Sequence, residues 1–280
     1  MKKAIKQDEK RKGVFAEQIT THIWQELPSA ENPYLAQASY CHGYDLMTLM
    51  ERCSFEDMLL LLLQGELPTA ERKELLRQLM IALANPGPRH PATRAAITAG
   101  VGKSNPMHIL PIALTILGGE HMGAGEVSHS MEFLRYHIHK DPQQVVKERL
   151  ALQPRPEQQQ DWVIAAGFGS CFGGIDPLAH NIAARLSALA GAGKALRWGV
   201  AFADALQDNG MGWRIPGVAA AAFLDMNFSG MTPWVGATLF QLLSAPGMLA
   251  HGLEYRLQPL TAYPFIQDNQ YIIESDAQTN

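Results

Sequence analysis

The chain has 280 residues, 47% of them hydrophobic and 18% charged, a composition that excludes intrinsic disorder and low-complexity or fibrous architectures. Its 23 Lys and Arg against 27 Asp and Glu leave a net charge of -4, so no excess of positive charge is available to follow a phosphate backbone, and no nucleic acid partner is expected. No apolar run is long enough to cross a bilayer, and three cysteines (Cys41, Cys53, Cys171) without CxxC spacing read as free thiols. Met1-Lys2-Lys3 leads into Gln7-Asp8-Glu9-Lys10 with no apolar signal stretch, so the expected location is cytoplasmic, with no membrane partner.

In chain order, residues 1–14 read as a solvated flexible tail, and the chain is organised from Phe15 onward. Phe55, Met58, Leu59, Leu62 and Leu63 recur at three- and four-residue spacing behind a cap at Ser54, which predicts a short buried helix closed by Gly65. Pro68-Thr69-Ala70-Glu71 opens a second helix, whose Leu75, Leu76, Leu79 and Leu83 share one face until Pro86 and Pro88 end it. Further helices are predicted around 91–102, 106–117, 123–140, 142–151, 157–166, 177–190, 195–208, 216–226, 232–244 and 246–257. β-branched residues are scattered, and no alternating run is bounded by a hairpin turn, so the predicted class is all-α. Short Gly/Pro punctuation between helices argues for a compact body, and no repeat period is present.

The run Gly167-Phe168-Gly169-Ser170-Cys171-Phe172-Gly173-Gly174 could close backbone N–H groups around an anion. A dinucleotide fingerprint would need glycine where Phe172 stands, and a strand ahead of it. Gly193-Lys194-Ala195 lacks the Ser or Thr of a P-loop. His121, His129, His137 and His139 do not have ligand spacing, so no metal is expected. Ser170 has no nucleophile-elbow context and no predicted strand before it, so it reads as a small residue chosen for packing.

Four segments, in order over most of residues 34–265, resemble the citrate synthase superfamily, including the short citryl-CoA lyases and the citryl-CoA lyase module of ATP-citrate lyase. They are Tyr40-Cys41-His42-Gly43-Tyr44-Asp45 with Ser54–Asp57 and Leu61–Thr69; Gly118–Glu126 around His121; Gly167–Ser170 through Asp176-Pro177-Leu178; and Phe223–Met226 with Leu239-Phe240 and Gly247–His251. The resemblance implies a large helical domain (15–121 and 223–280) with a smaller helical domain (122–222) inserted. It also implies a homodimer and acyl-CoA thioesters as ligands, coenzyme A entering as part of the substrate. In such enzymes a carboxylate removes the α-proton of the acyl-CoA, a neutral histidine holds the enolate oxygen, a second histidine polarises the ketone, and arginines clamp its carboxylates.

Carried over position by position, His121 matches the enolate histidine, whereas Ser170 stands where the Gly-x-Gly-His segment has its histidine. A serine hydroxyl cannot shuttle protons near neutral pH. Leu178 replaces the arginine of Asp-Pro-Arg, and Ser244 and Ala245 occupy another arginine position, which implies a substrate other than oxaloacetate or citrate. The catalytic carboxylate has two registers: Asp225, allowing a one-residue shift, or Pro216 in a gapless register that also puts Pro86 at the first histidine, with His90 nearby. His90, Arg94 and Arg256 are candidate substrate contacts with Ser170; Gly167, Gly169, Gly173 and Arg214 are candidate CoA contacts, with Lys194 and Arg197 as further partners for its phosphates. Two readings follow. One is an acyl-CoA carbon–carbon lyase or synthase with an altered electrophile site; the other is an inactive paralogue that binds CoA thioesters or serves as the partner subunit of an active relative.

Overall fold

A computed structural model describes residues 20–153, 161–228, 233–263 and 266–271; the tail expected at 1–14 lies outside them. Contacts divide the chain into two units, Met1–Pro68 and Thr69–Asn280. In the first, β1 (Trp24–Pro28), β2 (Ala36–Cys41) and β3 (Tyr44–Asp45) form an antiparallel sheet in that order. The β2–β3 connection is the two-residue turn His42-Gly43 with φ of 46° and 87°, the left-handed pair that matches the twist of a tight hairpin. Asp45 then caps α1 (Leu46–Arg52) by accepting from Thr48 N at 2.9 Å. The next helix, α2 (Phe55–Gln64), begins and ends as its sequence signals require. Ser54 and Asp57 form a reciprocal capping box, and Gly65 closes the helix at φ 80°. Cys41, Leu49 and Leu61 form the buried centre of this unit, with Trp24 and Met58 packed against them.

The second unit is helical: α3 (Ala70–Leu83), α4 (Pro91–Val101), α5 (Pro106–Leu117), α6 (Ala124–His137), α7 (Pro142–Leu152), α8 (Pro177–Ser187), α9 (Lys194–Leu206), α10 (Ile215–Asp225) and α11 (Pro233–Leu257). Four of these start with Pro directly behind a residue whose side chain caps the helix, where a missing N–H costs nothing. The long helix α11 packs on α4, α5 and α6, while α10, buried on nearly every side, packs on α6 and α9. Close approach of α11 to α4 depends on Gly100 and Gly252, since a Cβ on Gly100 would collide with the Gly252 carbonyl.

The class is mainly helical, as expected, but three features differ from the sequence reading, the first being the β1–β3 sheet where no strand was predicted. A second antiparallel sheet, β4 (Val163–Ala165), β5 (Phe168–Gly169) and β6 (Gly212–Trp213), replaces the described part of the helix expected at 157–166 and puts a strand directly before Ser170. The helices expected at 232–244 and 246–257 are one helix running through Pro246. Proline removes one ladder bond there, and the next N–H, of Gly247, donates instead to Ala84 O at 2.7 Å. That bond ties α11 to the end of α3, and a Cβ on Gly247 would press on Asn85 at 2.5 Å. It sets Ser244 of α11 beside the Asn85-Pro86 turn.

Candidate functional site

Two cavities lie on either side of a short turn in the second unit. The larger, 620 Å³, is walled by α6, α7 and β4, with His121, Phe133, Tyr136, His137, Arg149 and Ile164 among its lining. The smaller, 80 Å³, is lined by Leu83, Asn85, Pro86, His90, Met122, Leu178, Ile215, Phe240 and Ser244. His121 faces the first and Met122 the second; likewise Arg214 lines the first and Ile215 the second. The dividing wall is therefore two dipeptides.

The His121-Met122 wall is held by its backbone. Met122 sits at φ 56°, a conformation uncommon for a large side chain. Its N–H donates to Glu126 Oε2 at 2.9 Å, and its carbonyl accepts from His90 Nε2 at 3.2 Å. His90 is the N-cap of α4 and accepts from Ala92 N through Nδ1 at 3.2 Å. With Nδ1 accepting, Nε2 must carry the proton, so His90 is a neutral ring with both nitrogens committed. Burial pushes its pKa down, against the pull of the Met122 carbonyl, and the neighbouring His121 adds to the lowering. His121 itself is exposed, at the end of the turn.

Below the wall, Arg214 and Glu126 form a buried bidentate pair, Nε to Oε1 at 2.6 Å and Nη2 to Oε2 at 3.2 Å. Arg214 Nη1 also donates to Ser170 O at 3.0 Å, and Arg214 N donates to Gly167 O at 2.9 Å. Burial works against the Arg214 charge, but the Glu126 carboxylate outweighs it and raises the pKa. This corrects the expectation for Arg214: its guanidinium is wholly buried and committed to protein acceptors rather than turned to solvent for a CoA phosphate. Arg214 is a tie between the glycine-rich segment, α6 and the wall.

The glycine-rich segment follows packing demands. A Cβ on Gly167 (φ 81°) would meet Gly217, and one on Gly169 would collide with the Trp162 carbonyl. Phe172 and Gly173, at φ 51° and 78°, form a tight turn between Cys171 and Gly174, which exchange both backbone hydrogen bonds; Gly173 has open space around it. Ser170 is buried and exchanges bonds with Trp162, its Oγ accepting from Trp162 N at 2.8 Å and its N–H donating to Trp162 O at 2.9 Å. Burial pushes the thiol of Cys171 up, opposed by nearby Arg214.

Asp225 lines a third pocket with Arg135, His139 and Lys194, apart from His121 and His90. Its carboxylate accepts from Gly193 N, Ala195 N and Leu196 N at 2.7, 2.8 and 3.0 Å, capping α9 from a distance in sequence. Burial raises its pKa against those three donors. Asp225 and His121 therefore do not converge. Pro216, the alternative position for the base, is buried in the first turn of α10 next to Ile215 of the small cavity. Pro86, Leu178 and Ser244, the substituted positions, do converge, with His90. Arg94 is exposed on α4. Arg256 donates to Lys103 O at 3.4 Å near the end of α11, where Lys103 Nζ donates to Arg256 O at 2.8 Å.

Three residues carry more than the sequence suggested. Glu126 was visible only as part of a resembling segment, and nothing local pairs it with a residue 88 positions away. His137, buried beside Phe133 and Tyr136, donates through Nδ1 to Phe133 O at 2.8 Å, leaving the Nε2 lone pair as its remaining polar site on the large cavity. Burial lowers its pKa, which keeps the ring neutral. Met122 had no signal beyond its place after His121. Among the described residues no group of three or more His, Cys, Asp or Glu is placed to hold a metal ion, and no helix is long and apolar enough to cross a membrane.

The family model for the citrate synthase C-terminal domain matches residues 30–151. No curated protein sequence matches the chain. Among solved structures, a citryl-CoA lyase from Hydrogenobacter thermophilus is similar over 94% of this chain and 96% of its own, with TM-score 0.71 and 20% identity. An ATP citrate lyase from Methanosaeta concilii, in complex with (3S)-citryl-CoA, is similar over 94% of this chain, with TM-score 0.72 and 14% identity; this chain spans 43% of that one. A citrate synthase from Thermoplasma acidophilum, bound to carboxymethyl coenzyme A and oxaloacetate, is similar over 80% of this chain and 58% of its own, with TM-score 0.59 and 19% identity. The chain thus matches the citrate synthase C-terminal domain model over residues 30–151, and its fold is similar to those of the citryl-CoA lyase and the ATP citrate lyase.

Proposed function

We propose that the protein binds an acyl-CoA thioester in the large cavity and catalyses carbon–carbon cleavage or condensation with a partner other than oxaloacetate or citrate. The observation that supports this reading is the wall itself: His121 lines the large cavity and Met122 the small one, at a single turn held by Glu126 and His90. In the cleavage direction a β-hydroxyl loses its proton to water, the adjacent C–C bond breaks, its electron pair becomes the thioester enolate, a carbonyl compound leaves, and the enolate carbon takes a proton back to give the acyl-CoA; condensation is the reverse. His121 donates a hydrogen bond to the enolate oxygen, an interaction strongest when the charge is developed. The apolar Pro86, Leu178 and Ile215 support a partner without the carboxylates of citrate, since a buried carboxylate lacking a partner costs several kcal/mol. Most residues lining the large cavity fall within 122–222, the segment we propose as the smaller domain.

The second reading, a non-catalytic thioester binder or partner subunit, is favoured by a specific observation: His90, Ser170 and Asp225 have their polar atoms committed to structural bonds, and proline holds positions 86 and 216. Either reading includes self-association or pairing with an active relative. An apolar stripe on α11 (Trp234, Leu242, Leu253, Leu257), with Met107 and Ile116 on neighbouring α5, supports a homodimer. The test is the C–C cleavage rate over a panel of 3-hydroxyacyl-CoA thioesters and citryl-CoA. Turnover of a 3-hydroxyacyl-CoA, reduced in His121→Ala, supports the enzyme; intact thioester binding with no turnover across the panel supports the second reading.

A further inference from the structure

The small cavity contains one polar group that is not already used. His90 has both ring nitrogens engaged. Asn85 accepts from Gly87 N through Oδ1 at 2.9 Å and meets His251 Nε2 through Nδ2 at 3.3 Å. Ser244 is only 1% exposed, lines the cavity, and its hydroxyl finds no hydrogen-bond partner among the described residues. A serine within a helix usually bonds back to the carbonyl one turn earlier, as Thr238 does to Trp234 O at 2.9 Å on the same helix, whereas Ser244 does not. A buried hydroxyl without a partner is a standing cost that a ligand acceptor would remove. The remaining wall offers no cation to balance a carboxylate: Leu83, Pro86, Met122, Leu178, Ile215 and Phe240 are apolar.

We infer that this cavity is the binding site for a small uncharged carbonyl compound, a short aliphatic ketone or aldehyde, with the Ser244 hydroxyl donating to its carbonyl oxygen. At 80 Å³ the space is small, which suits a compact body of a few heavy atoms such as propanone. Identifying it as the partner substrate rests on the acyl-CoA reading above, but the cavity chemistry does not.

Ligand-observed NMR titration of the full chain with propan-2-one and with pyruvate, which differ by a methyl against a carboxylate, tests the inference. The expected result is propan-2-one binding at least about tenfold tighter than pyruvate, because the carboxylate finds no partner. Ser244→Ala is expected to weaken propan-2-one by about three- to tenfold, the range of a single neutral hydrogen bond, while leaving acetyl-CoA binding by calorimetry unchanged. Leu178→Arg, at a position 62% exposed and so tolerant of a charge, is expected to move the preference toward pyruvate by about tenfold. Pyruvate binding as well as propan-2-one in the unaltered protein, or propan-2-one affinity indifferent to Ser244→Ala, overturns the inference even if acetyl-CoA binds. Ser244-dependent propan-2-one binding without any acetyl-CoA binding supports the inference and removes the acyl-CoA reading.

Discussion

Replacing Arg214 by Met is the sharpest perturbation of the wall. The guanidinium is fully buried and satisfies both oxygens of Glu126, itself buried, together with the Ser170 carbonyl. Methionine fills much of the volume but leaves Glu126 with Met122 N as its remaining donor. Removing one partner of a buried pair costs about 3–5 kcal/mol. With about 2–4 °C per kcal/mol for a chain of this size, the melting temperature falls by roughly 6–20 °C. The double variant Glu126→Leu with Arg214→Met removes the stranded charge and should recover most of that loss, short of about 1–3 kcal/mol because Met122 N is then buried without an acceptor. Urea unfolding monitored by tryptophan fluorescence reads both effects. A single variant within about 1 kcal/mol of the unaltered protein, or a double variant no more stable than the single, would refute the claim that this pair holds the wall.

Asp225→Asn should leave acetyl-CoA binding and any turnover unchanged while lowering stability by about 1 kcal/mol, as expected of a helix cap rather than a base; lost turnover at retained stability contradicts it. His90 and His137 have pKa values lowered by burial, so the unfolded chain binds more protons below about pH 6.5 and stability falls as pH drops from 7 toward 5. In His90→Asn, which can still cap α4, part of that fall should disappear, as read from urea midpoints at the two pH values. Sedimentation equilibrium should give twice the chain mass of 30.8 kDa, and Trp234→Glu with Leu242→Glu should return it to the monomer value.

Much of the fold was legible because its signals are local. Ser54, Asp57 and Gly65 bound α2, and Thr69 caps α3, where the sequence places those boundaries. The sheets were not legible, because most strands have only two or three residues and their tight turns are His42-Gly43 and Ala166-Gly167 rather than the Asn-Gly or Asp-Gly that marks a hairpin. Pro246 reads as a helix end because its ladder bond is lost; the carbonyl of Ala84, far away in sequence, takes up the next N–H. The site follows the same division. Substitutions at Pro86, Leu178 and Ser244 could be seen one by one, and their convergence on one cavity needed the fold. Asp225 looked like a base because its role as the cap of α9 depends on donors some thirty residues distant.

The most direct measurement is calorimetric titration of the purified full chain with acetyl-CoA, alone and with oxaloacetate. The account expects saturable acetyl-CoA binding that oxaloacetate does not strengthen, since the small cavity has no cation for its carboxylates. Absence of acetyl-CoA binding would contradict the thioester site, and strengthening by oxaloacetate would contradict the altered partner.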